Sequence, residues 1–118
     1  MDNKSQAFTA TFSIYDAATR IELYEFTTTV WSRWEKRAQY TAEHRAKSYT
    51  LGLSMDSLGK RYGLTAGQLR AMLRDGVIAS GINFYEVELR DFRHNPNPPE
   101  RVGRKYAVKA APDRHKAV

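Results

Sequence analysis

Arg70 and Arg74 stand one helical turn apart, with the small residues Gly67 and Ala71 beside them. Projected at about 100° per residue, Leu69, Met72 and Leu73 turn inward and Gly67, Arg70, Ala71 and Arg74 turn outward. Two long cations flanking two very small side chains let a helix backbone lie close to a grooved polyanion. Arginine offers a planar fork of donors that matches a guanine edge or a phosphate. Thr65 and Gln68 have capping-box spacing, which accounts for them structurally. With Ala66 and Gly67 they also form a first turn that can present hydrogen bonds to bases or phosphates. Lys60 and Arg61, just upstream, are placed to meet a phosphate backbone, although a solvated helix face accounts for them equally well.

The element carrying these residues must be a helix held by a second one. Ser54 caps a short helix over 55–62, Gly63 supplies the positive φ of a tight turn, and a third helix runs from Thr65 to about Asp75, closed by Gly76. Gly59 sits where two helices cross, and Leu58, Tyr62, Leu64, Leu69 and Met72 face inward. The stretch Leu69-Arg70-Ala71-Met72-Leu73-Arg74-Asp75-Gly76-Val77-Ile78 resembles the recognition helix and first wing strand of MerR-type regulators and phage excisionases, within the helix-turn-helix superfamily. The resemblance covers about 54–89 and implies a double-stranded DNA-binding surface on the third helix. Glu86 and Glu88 depart from the wing pattern, in which Arg or Lys would meet phosphates.

Upstream, Phe8, Ala10, Phe12 and Ile14 alternate with Thr9, Thr11 and Ser13, the period of a half-buried strand. Ile21 to Val30, rich in β-branched and aromatic residues, reads as its antiparallel partner. Ser32 and Glu35 have capping-box spacing and predict a helix from about Arg33 to Tyr49, stopped by Gly52. Its Trp34, Ala38, Ala42, Arg45 and Tyr49 recur on one face, leaving a wet, basic face opposite. Trp31 and Trp34 read as core or dimer-interface anchors.

The expected architecture is therefore α+β: an N-terminal β-hairpin (7–30), a long helix (33–50), a helix-turn-helix (54–75) and a short β-wing (77–92), one folded domain over 1–93. Asn95-Pro96-Asn97-Pro98-Pro99 reads as a linker to a flexible basic tail over 94–118. In that tail Arg101, Arg104 and Lys105 are candidates to track phosphates or enter a minor groove.

Composition sets outer bounds. At 118 residues, 42% hydrophobic, the chain has the size and apolar content of one domain. It has no cysteine, which excludes disulfide scaffolds and thiolate chemistry. The net charge of +6 is uneven. Residues 31–74 hold nine bases against three acids, and 94–118 six against two, while 1–30 and 75–93 are each net −2. His44, His94 and His115 are scattered, and neither a phosphate-cradling glycine loop nor a metal-ligand spacing occurs. No apolar run suits a signal peptide or a membrane span.

These features favour a cytoplasmic, non-enzymatic, cofactor-free and metal-free DNA binder, expected as a homodimer. It would serve as a small transcriptional regulator or architectural factor. The alternative is a small inhibitor that binds a host nucleic-acid-processing protein, with the helical hairpin as scaffold.

Overall fold

The computed structural model describes residues 5–79, 81–98 and 105–112. The alternating stretch near the N-terminus forms β1 (Gln6–Asp16), and the β-branched stretch after it forms β2 (Glu22–Ser32). They pair antiparallel from Gln6 opposite Ser32 to Ile14 opposite Tyr24. The reversal is fixed by Asp16, whose Oδ1 accepts from the backbone N–H groups of Ala18 and Thr19 at 2.9 Å each. A long helix, α1 (Glu35–Tyr62), and a short one, α2 (Ala66–Arg74), follow. Then β3 (Tyr85–His94) adds outside β1, and β4 (Tyr106–Ala110) adds outside β2. The result is one antiparallel sheet in the order β3-β1-β2-β4, with helices on one face.

The expected architecture of hairpin, separate helix, helix-turn-helix, wing and flexible tail is not what forms. The two helices predicted over 33–50 and 55–62 are a single helix of 28 residues. Gly52 does not stop it: a mid-helix glycine costs only about 1 kcal/mol, and the buried row Ala38, Ala42, Ala46, Thr50, Ser54 and Leu58 runs straight past it against the sheet. Nor does Ser32 box with Glu35. The Ser32 hydroxyl is taken by the backbone of Trp34, from whose N–H it accepts at 3.1 Å, and Trp34 is the N-cap without a side-chain bond.

The wing does not form: the described residues of 77–84 hold no strand, and 85–94 pair with β1 instead. Alternating Tyr85, Val87 and Leu89 need an apolar partner, and the free edge of β1 supplies one. Phe92 stacks on Phe8 with ring centroids 5.6 Å apart. Finally, 106–110 of the expected tail is the fourth strand, tied in by Thr28, whose hydroxyl donates to the Lys105 carbonyl at 2.7 Å. Arg101, Arg104 and residues 113–118 lie outside the described residues.

The core lies between α1 and the sheet. Phe8, Phe12, Ile14, Phe26 and Val30 project onto Ala38, Ala42 and Ala46, all of them buried. Small residues at every fourth position give α1 a low ridge, so the aromatic side chains of the sheet fill the space. Phe12 and Phe26 meet edge to face at 6.1 Å. Arg45 reaches down from α1, and its Nη1 donates to Thr28 Oγ1 and to the Thr29 carbonyl, both at 2.9 Å. Partial burial lowers the pKa of this guanidinium.

Candidate nucleic-acid interface

α1 ends because Gly63 adopts the left-handed conformation, φ 66°, open to glycine without a Cβ clash. The N–H of Leu64 then donates to the Gly59 carbonyl at 2.8 Å, turning the chain back. Thr65 opens α2 with a full capping box. Its Oγ1 accepts from Gln68 N–H at 3.1 Å, and its own N–H donates to Gln68 Oε1 at 2.8 Å. A Cβ on Gly59 would lie 3.0 Å from the Leu64 carbonyl oxygen and 3.3 Å from Leu69 Cδ1, so the lack of a side chain there sets how closely α2 approaches. Leu69 is the residue α2 buries. Between the helices runs a groove of about 490 Å³. Met55, Leu64, Leu69 and Leu73 line it, with Asp56, Lys60 and Arg70 also on its walls.

Of the residues expected to contact DNA, Thr65, Ala66, Gly67, Gln68, Arg70 and Arg74 are exposed, as are Lys60 and Arg61 on the last turn of α1. Ala71 is half-buried. Arg74 has only a loose, exposed contact with Asp75, 3.4 Å from Nε to Oδ1. Lys60 and Arg70 come to one groove from different helices. Lys105 is exposed, but it adjoins β4 on the far side of the sheet order from β3 rather than trailing in a tail.

The tryptophans take different places. Trp31 lies half-buried near the end of β2, in line with Thr27 and Thr29 on the face away from the helices. Trp34 heads α1, 57% exposed, with the Arg33 guanidinium 4.8 Å over its ring.

Sequence reasoning assigned no role to the outer face of α1. There Arg37, Tyr40, His44 and Lys47, all exposed, follow one another at intervals of three and four residues. Tyr40, 71% exposed, stacks on His44 with centroids 6.5 Å apart. The signal that could have found this row is its helical spacing of cations and aromatic rings.

The two layers carry opposite charge. From Glu35 to Arg74 the helical layer has eight bases and three acids, a net of +5. The four strands have three bases and six acids, a net of −3. Apart from Asp16, which serves the turn, these acids sit on the open face of the sheet among hydroxyls. Ser13 donates to Glu22 at 2.6 Å, Tyr15 to Glu88 at 2.9 Å, and Arg20 pairs with Glu86 at 2.6 Å. The bond to Glu88 raises the pKa of the Tyr15 phenol, and the same bond, with Arg90 adding to it, lowers that of Glu88.

Comparison with protein-family models, with curated proteins and with solved structures finds no match to this chain. Among the described residues no helix is long and apolar enough to cross a membrane.

Proposed function

We propose that this chain binds double-stranded DNA with its helical layer, α2 foremost, as a small cytoplasmic regulator or architectural factor. The observation that carries the reading is the separation of charge, +5 on the helices against −3 on the strands. A polyanion is drawn to one layer and repelled by the other. Arg70 and Arg74 supply forks for guanine edges or phosphates, while Gly67 and Ala66 leave room for the duplex. Lys60 and Arg61 meet phosphates beside the groove, and Thr65 and Gln68 add weaker polar contacts. The row from Arg37 to Lys47 extends the basic surface along α1.

The test is selection of bound duplexes from a mixed library, followed by titration at several salt concentrations. Contact with roughly six phosphates predicts about a thousandfold loss of affinity between about 50 and about 200 mM salt. Arg70→Glu should weaken binding and abolish any selected sequence. Binding indifferent to Arg70→Glu and to Lys60→Glu overturns the reading.

The open sheet face favours a second reading. Its hydroxyl and carboxylate groups, with Trp31 at one end, suit a protein partner better than a nucleic acid. That partner would be a host nucleic-acid-processing protein, and a chain that shows no DNA affinity at low salt would support it.

A further inference from the structure

The edge of the sheet at β3 has two unusual properties. First, its helix-facing residues are left partly covered. In β1 the corresponding Phe8, Ala10, Phe12 and Ile14 are buried, whereas Tyr85, Val87, Leu89 and Phe92 of β3 are only half-buried. No described strand pairs with the outer side of β3.

Second, the charges along β3 are ordered so that the strand complements itself when reversed. Its run reads Glu86, Glu88, Arg90, Asp91, Arg93. A bulge between Leu89 and Asp91, opposite Thr11 and Phe12, keeps Glu88, Asp91 and Arg93 on the open face and Val87, Leu89, Phe92 and His94 on the helical face. Lay a second β3 antiparallel so that Val87 opposes His94. Glu88 then faces Arg93, Leu89 faces Phe92, and Arg90 faces Asp91, and by symmetry each pair occurs twice. Every charged pair is opposite in sign and every pair shares a face, the bulged Arg90 being drawn to the open face by its bond to Glu88. Moving the register by two residues opposes Glu88 to Asp91 in one direction and Arg90 to Arg93 in the other, so the pattern disfavours both neighbouring registers. Glu86 stays with Arg20.

We propose that two copies of this chain associate through β3 in this register, joining their sheets into one of eight strands. The existing pairs Arg90–Glu88 at 2.9 Å and Arg93–Asp91 at 3.5 Å become links in an alternating network across the seam. The half-buried row gains cover as Leu89 packs on Phe92 of the second copy. Antiparallel pairing within one sheet relates the copies by a two-fold axis normal to it, so both helical layers emerge on the same side. This is a different interface from one built on Trp31 and Trp34. It does not depend on DNA binding, and it is tested without DNA.

Sedimentation equilibrium of the full chain is the experiment. Wild type should be a dimer, and Arg93→Glu and Glu88→Arg should each weaken it by about tenfold or more, since like charges then face each other twice. Combining the two substitutions restores opposite signs and should restore the dimer, while circular dichroism reports whether each variant is folded. The Trp34→Ala variant should dimerise as wild type does. A monomeric wild type, a dimer that both single variants leave intact, or a double variant no tighter than the singles overturns the proposal.

Discussion

Asn83 donates from Nδ2 to Thr50 Oγ1 at 2.8 Å, fastening the segment before the edge strand to the middle of α1. Its Oδ1 accepts from Ser54 Oγ at 3.1 Å, and Ser54 Oγ accepts from the Phe84 N–H at 2.9 Å. Thr50 and Ser54 are wholly buried, so water cannot replace a lost partner. Thr50→Val takes the Oγ1 acceptor from the half-buried Asn83 amide and should destabilise the fold by about 1 kcal/mol. In a double-mutant cycle with Asn83→Ala, measured by urea unfolding, the two changes should be sub-additive by about 1 kcal/mol.

Gly59 governs the approach of α2. Gly59→Ala gains up to about 1 kcal/mol of helix propensity, offset by the 3.0 Å approach to the Leu64 carbonyl, and should leave stability near that of wild type. Gly59→Leu has no room. It should lower stability by about 1–3 kcal/mol, the range for overpacking, and DNA affinity should fall with it, both read from the same protein preparation.

The capping box separates structure from recognition. Thr65→Ala removes the acceptor for Gln68 N–H and should cost about 1 kcal/mol of stability. Arg70→Glu, on an exposed position, should change the melting temperature little while weakening DNA binding strongly. If Thr65→Ala reduces affinity more than Arg70→Glu does, the ordering of α2 outweighs the guanidinium.

Acid and base should act through one hydrogen bond and one turn. Glu88 is held below its ordinary value of 4.5 by the Tyr15 hydroxyl, and Asp16 below 3.8 by the Thr19 N–H. Depressed carboxylates contribute stability above their unfolded values and lose it as pH falls through the folded ones. Tyr15 is raised above 10.0, so its contribution is present below that pH and is lost as pH rises through the folded value. Tyr15→Phe should therefore flatten both flanks of the stability profile, measured by urea unfolding across pH. Asp16→Asn should flatten only the acid one.

What the sequence made legible was local. The Thr65–Gln68 box and the Gly63 turn involve neighbours in the chain, and both stand where their spacing puts them. Phe8, Ala10, Phe12 and Ile14 are all buried, as the alternation predicts, although Ala7 and Ser13 on the other face are buried as well. Pairing between distant segments left no such mark. Nothing in Tyr85–His94 alone distinguishes a wing from a strand bound to β1, and Lys105 to Ala110 reads as a basic tail until Thr28 and Phe26 are opposite it. Signals also competed: the Ser32 hydroxyl has two possible uses, and the Trp34 backbone takes it. On α2 the exposed set was readable from helical phase, apart from Ala71, whereas the separation of charge by layer required the topology.

α2 buries little besides Leu69, and its contacts with other elements are with α1. The sheet and the first half of α1 form a core that does not need it. Amide exchange should accordingly come in two tiers, with 66–74 opening at a lower free energy than β1, β2 and the Ala38–Thr50 stretch. Such a segment can open and close while the body stays folded, so substitutions on it can retune what it meets without unravelling the rest.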